Sequence, residues 1–372
     1  MRKLVLYLLV ALTFVSGCSK KKNEIAITST ANEKLNFEVI EFRAPSIESA
    51  KSNKYEFREI YNNSLPIIEL VEHENYYSSE ELYLMNLESN DIKQIQGIKK
   101  VDVNNRIWSF VEISENEFIY IELAYDELEG DNSLIKYTIN YSNSNMTKEL
   151  FSGNCYGIYN LPIFMIKEDK LFISGISNYE NNGKIDSYYI YFGEINENGL
   201  EILYSNESKV VNNQLSNDAE ILYGTTLILN EESILFFTEI NNTRFMNIYK
   251  DGKVVKYSLN NQGIINYSIP VNGYLICNEF VDNKENYYLL NSNLEKVKDI
   301  EKISISDFAI TKYGTYIINE KGLYFLYLSD DKSELIVKKV ERIVNPIYFR
   351  VVNENDTLVF TDNGINRINI KK

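Results

Sequence analysis

Residues 308–340 read FAITKYGTYIINEKGLYFLYLSDDKSELIVKKV. Four apolar runs, Phe308 to Thr311, Thr315 to Asn319, Leu323 to Leu328 and Leu335 to Val340, are separated by Tyr313-Gly314, Lys321-Gly322 and Asp330-Asp331. Short runs of aromatic and β-branched residues bounded by turn formers are antiparallel strands joined by hairpins. Helical periodicity is almost absent from the rest of the chain, so the class is all-β.

Working outward, the same strand-turn-strand signature recurs. Pro66 to Val71 turns at Glu74-Asn75, Ile107 to Ile113 at Glu115-Asn116, and Pro162 to Ile166 at Glu168-Asp169. Thr226 to Leu229 turns at Glu231-Glu232, Tyr267 to Ile269 at Asn272-Gly273, and Tyr348 to Val352 at Asn355-Asp356. Successive turns lie 41, 53, 63, 41, 41 and 42 residues apart. A period near 41 with four strands per unit predicts a seven-bladed β-propeller of four-stranded antiparallel blades, with six or eight blades as the alternative count. The last unit has only three strands, Tyr348 to Val352, Thr357 to Thr361 and Ile365 to Ile370. The alternating segment Asn36 to Phe42 is expected to supply the fourth and close the ring, which removes an exposed sheet edge.

At the N-terminus, Arg2 and Lys3 precede an apolar run from Leu4 to Val15 that ends at Ser16-Gly17-Cys18. The run is short for a membrane span and reads as a secretion signal. It resembles the lipobox of bacterial lipoproteins. That resemblance implies a diacylglycerol thioether on Cys18, removal of residues 1–17, a tether over 18–34 and a propeller over 35–372. Location on the extracytoplasmic face of the cell membrane follows, and Ser19-Lys20-Lys21-Lys22 beside the lipid would add about 1 kcal/mol per lysine on anionic headgroups. Over residues 35–372 the chain is similar in general form to seven-bladed β-propeller lipoproteins. It lacks the Gly-His and Trp-Asp marks of WD-type blades, the double glycines of kelch repeats and the Asp-box of sialidases, so the resemblance implies no activity.

Without its signal the chain carries 36 basic and 53 acidic residues, a net charge of −17. Nucleic acid is therefore not an expected partner. His73 is the sole histidine and sits in a predicted turn; with no G-x-S-x-G elbow and no C-x-x-C pair, no catalytic residues, metal or cofactor are assigned. Cys155 and Cys277 are expected to be free thiols behaving as small hydrophobes. Trp108, the single tryptophan, lies in an innermost strand, where it either offers a stacking platform near the central channel or fills space between blades. The tyrosine abundance reports the fold.

The two long intervals place insertions at Ala124 to Ser133, Gly175 to Ser187 and Asn206 to Glu220. Propeller connectivity sends all three to one face, where Asp126, Glu127, Glu129, Asp131, Glu180 and Asp186 are the candidate ligand-binding residues, joined by Glu207, Asp218 and Glu220. Such an acidic rim suits a cationic protein, peptide or glycan partner, or a solvated fringe; the spacing does not match an EF-hand loop. The expected function is a lipid-anchored extracytoplasmic binding or scaffolding protein. An envelope enzyme acting on a glycan and a structural component of an export or assembly complex are the rival readings.

Overall fold

The computed structural model describes residues 27–28, 36–42, 55–72, 77–96, 98, 105–125, 134–156, 161–167, 170–181, 184–211, 214–215, 221–230, 233–240, 243–258, 264–281, 283–291, 293–329, 334–362 and 364–371. Two strands, β1 (Ile27–Thr28) and β2 (Asn36–Phe42), come first. Blade 1 holds β3 (Tyr55–Phe57), β4 (Ser64–Glu72), β5 (Tyr77–Asn86) and β6 (Ile92–Gln94). Blade 2 holds β7 (Asn105–Ser114), β8 (Glu117–Tyr125), β9 (Leu134–Ser142) and β10 (Thr147–Tyr156). In blade 3, β11 (Ile163–Lys167), β12 (Lys170–Asn181), β13 (Lys184–Asn196) and β14 (Gly199–Val211) are followed by the short β15 (Gln214–Leu215). Blade 4 is β16 (Ile221–Asn230), β17 (Ser233–Ile240), β18 (Thr243–Lys250) and β19 (Lys253–Ser258). Blade 5 is β20 (Ile264–Val271), β21 (Tyr274–Val281), β22 (Lys284–Leu290) and β23 (Lys296–Asp299). Blade 6 is β24 (Asp307–Thr311), β25 (Gly314–Asn319), β26 (Gly322–Leu328) and β27 (Leu335–Lys339), matching the four runs of residues 308–340 within a residue or so at each end. Blade 7 is β28 (Pro346–Val351), β29 (Asp356–Thr361) and β30 (Gly364–Lys371).

The expected clasp is present. Strand β2 runs antiparallel to β30 from the pair Asn36 and Lys371 to the pair Phe42 and Ile365, completing blade 7. A second tie was not foreseen: β1 adds in parallel to the outer edge of blade 6, Ile27 opposite Leu335.

Among the described residues, apolar clusters join neighbouring blades around the ring. The one between blades 7 and 1 joins Phe57, Leu65 and Met85 to Leu358, Phe360 and Ile365, although the two groups stand at opposite ends of the chain. Because a central strand is covered on both faces, it reads as a continuous apolar run; β25 and β29 are buried along almost their whole length. Outer strands such as β6 and β23 are mostly exposed or half-buried and carry lysines.

Blade 1 departs from the expected register. Pro66 to Val71 lies in the second strand, not the first, and the first is the three-residue β3. The hairpin joining them turns at Asn62 and Asn63, both left-handed (φ 47° and 56°), the geometry of a two-residue type I′ turn. The apparent 41-residue interval from Asn75 therefore compares different turns of blades 1 and 2. So brief a first strand offers no alternation to read.

In two of the expected insertions the described residues are strand and not loop. Gly175 to Ser187 belongs to the long hairpin of β12 and β13, which stay paired from Phe172 and Glu194 to Asn181 and Lys184. From Asn206 the described residues continue β14 to Val211 and then form β15, while 212–213 and 216–220 lie outside the described residues. The extra length of blade 3 thus went, in the described residues, into added ladder.

Candidate functional site

The first strand of each blade lies at one edge of its sheet, and around a propeller these edges face the central channel. Along β24, β28, β3 and β7 polar side chains form a belt across four consecutive blades. The Phe349 N–H donates to Asp307 Oδ2 at 3.2 Å. Arg350 donates through Nε and Nη2 to the Phe57 carbonyl oxygen, 3.2 and 2.8 Å away, and through Nη1 to the Phe349 carbonyl oxygen at 2.8 Å. Glu56 Oε2 then accepts from Arg106 Nη2 at 2.5 Å and also from Arg58 Nη2. The belt crosses the seam at which the chain's ends meet, and Arg367 donates across the same seam to the Leu87 carbonyl oxygen at 2.9 Å.

Trp108 is flanked by the guanidinium groups of Arg58 and Arg106, 4.4 and 5.2 Å from its ring. It is half-buried and packs against the core shared by blades 2 and 3, so both readings of this residue describe part of its setting. Its placement depends on a β-bulge: Ile107 faces Glu122 and Ser109 faces Ile121, leaving Trp108 as the extra residue. A bulge of this kind re-aims a side chain. The second aromatic of the belt, Tyr348, lies 5.2 Å from Arg350 and stacks on Phe360 at 4.4 Å with planes 10° apart.

The electrostatics follow from crowding. Burial pushes the Arg58 guanidinium down to about 10, against the opposing pull of Glu56. For Glu56 burial acts upward, yet Arg58 and Arg106 outweigh it and hold the carboxyl below its ordinary value. Burial raises the Asp307 carboxyl above its ordinary value, although the Phe308 and Phe349 N–H groups oppose the rise. The Nε atoms of Arg58 and Arg106 are buried without a hydrogen-bond partner among the described residues. Each such orphan costs about 1–3 kcal/mol, so the pair is held together at a cost to stability. A donor-rich, partly dehydrated cationic group on an aromatic ring is built to meet an anion.

Among the acidic candidates, Asp126, Glu127, Glu129, Asp131, Asp218 and Glu220 lie outside the described residues, as does His73. Glu180 stands on β12 opposite Ile185, and Asp186 on β13 beside the bulge at Tyr179 and Glu180. Glu207 is exposed on β14 opposite Tyr189. Arg106 pairs with Leu123 near the end of β8, which closes at Tyr125. No group of three or more His, Cys, Asp or Glu side chains that could hold a metal occurs among the described residues. Cys155 and Cys277 are free and buried, and burial pushes both thiols up to about 12.

The arginines were not singled out in the sequence because the net charge is strongly negative and Arg58, Arg106 and Arg350 are scattered along it. One signal was available: Arg106 and Trp108 are two apart in a first strand, the spacing of residues sharing one face.

Closed rings of seven four-stranded blades define the class: this is an all-β seven-bladed propeller. No protein-family model matches the chain, and no curated protein matches it in sequence. Similar solved structures include a streptogramin B lyase, 13% identical with a TM-score of 0.42, covering 91% of this chain and 98% of that one. An acylaminoacyl peptidase of Pyrococcus horikoshii is 12% identical with a TM-score of 0.43, covering 82% of this chain and 50% of that one. Prolyl oligopeptidase B of Galerina marginata is 10% identical with a TM-score of 0.44, covering 83% and 47%. The matched region thus spans about half the length of either peptidase.

Proposed function

We propose that the protein is a binding or scaffolding module of the cell envelope, held at the extracytoplasmic face of the membrane by lipid on Cys18, which takes its partner along the arginine-bearing inner edges of blades 7, 1 and 2. The observation that carries this reading is the convergence of Arg58, Arg106 and Trp108 from two blades, with more hydrogen-bond donors than the single shared carboxylate oxygen of Glu56 can use. A purely structural seam has no need of orphaned guanidinium nitrogens. The acids of 126–131, with Glu180 and Asp186, form in this proposal a rim that steers the cationic part of the same partner.

Mass spectrometry of the mature N-terminus tests the anchor: Cys18 should be the first residue and carry diacylglycerol, and an unmodified Cys18 overturns the membrane assignment. Capture of detergent-solubilised envelope components tests the binding face. Recovery should fall for the Arg58→Gln, Arg106→Gln double variant, and equal recovery of every component by wild type and variant contradicts this site.

A further inference from the structure

We infer that Arg58 and Arg106, backed by Trp108, are a receptor for a carboxylate group of the ligand, and that Glu56 occupies this receptor as an internal competitor when no ligand is bound. The inference rests on the reading of the channel as the binding face and names the chemistry that face recognises.

Three observations point to it. First, the group already holding the two guanidiniums is a carboxylate, and it uses one oxygen for both, since Glu56 Oε2 is the acceptor in each case. A guanidinium normally takes a carboxylate through two parallel N–H bonds, so each arginine retains unused donor capacity. Secondly, Trp108 lies against both guanidiniums, whose Nε atoms are buried, and a low-dielectric setting strengthens pairing to an anion. Thirdly, Glu56 is the most exposed of the trio, with 31% of its side chain accessible against 17% for Arg58 and 10% for Arg106, and it rides on a strand of only three residues. It is therefore the member that can swing out. Arg350 is excluded from the receptor because its Nε, Nη1 and Nη2 all donate to backbone carbonyls, which makes it a strut of the seam.

Trp108 is the sole tryptophan, so its emission reports on this site alone. Full-length protein in detergent is titrated with citrate, with inorganic phosphate and with sodium chloride at matched ionic strength. Citrate should give a saturable change that chloride does not. Glu56→Gln should bind citrate about tenfold more tightly, because the competitor is neutralised, and Arg106→Gln should bind about tenfold more weakly or not at all. If Glu56→Gln does not fold, Glu56→Asp, which withdraws the carboxylate by one methylene, should shift affinity in the same direction.

Absence of a saturable response in both wild type and the Glu56 variant overturns the inference, as does an unchanged response in Arg106→Gln. Phosphate binding as tightly as citrate overturns the carboxylate assignment. Failure here together with arginine-dependent capture of a partner discards the carboxylate class and keeps the binding face; arginine-independent capture discards both.

Discussion

Two glycines show how single residues set the packing between blades. Gly153 on β10 faces Tyr137 on β9, and Gly175 on β12 faces Tyr191 on β13. In each pair the tyrosine covers its glycine so closely that an added Cβ would meet the tyrosine Oη, 2.5 Å away at Gly153 and 2.8 Å at Gly175. The two hydroxyls then connect the blades, Tyr191 donating to Tyr137 at 3.0 Å and Tyr137 to the Ile176 carbonyl oxygen at 3.0 Å. Gly153→Ala is expected to destabilise the protein by about 2 kcal/mol, as overpacking does in a rigid core. Because Ser177 Oγ at 2.6 Å and the Tyr137 Cζ at 2.7 Å crowd the same position, Tyr137→Phe should relieve only part of this cost; a double-mutant cycle by chemical denaturation checks it, and full relief contradicts the account. None of this was visible in the sequence, where Gly175 only opened an expected insertion and tyrosine abundance reported only strand content. At this scale the Trp108 bulge was hidden too, since one extra residue in a strand leaves no periodic trace.

At the scale of the element, strands with tight turns were legible and their extensions were not. The Asn272-Gly273 and Asp251-Gly252 turns have left-handed residues at both positions, as a two-residue hairpin requires, and Asn-Gly and Asp-Gly pairs announce that geometry in the sequence. Blade 3 misled because a lengthened hairpin and a loop share the same polar, Asn-rich composition. The N-terminal strand was readable from its alternation, but its anchoring side chain was not: Phe37 sits 5.4 Å from the Phe325 ring and 6.1 Å from Tyr316, so the clasp of blade 7 is locked onto blade 6. Phe37→Ala should cost about 2 kcal/mol, less than a fully buried phenylalanine because the ring is half-exposed. Removing residues 19–44 should cost more, several kcal/mol, and promote aggregation through the bared edge of β30. Removing only residues 19–24 should be nearly neutral. Melting curves decide between these outcomes, and equal loss from both truncations contradicts the clasp.

For the whole molecule, the period and the missing last strand carried the architecture, since ring closure is a property of the count and of the two chain ends. The proposed binding face was not legible, because its residues are scattered along the sequence. Arg58 follows the first strand of blade 1 while Arg106 and Trp108 lie on that of blade 2, and only the strut Arg350, from blade 7, reaches them across the closed seam. The acids of the expected rim drew notice because they cluster within three short stretches of sequence, whereas Arg58, Arg106 and Arg350 stand apart from one another. Closure by β2 underlies the stability of the ring. Hydrogen exchange of the β30 amides, resolved by residue, tests this most directly. With β2 in place, alternate amides of residues 364–371 bond to β29 and to β2, so the full-length protein should protect both sets, and deletion of residues 19–44 should expose one of them. Unprotected alternate amides in the full-length protein, or identical exchange in the two proteins, would contradict a ring closed by its N-terminal strand.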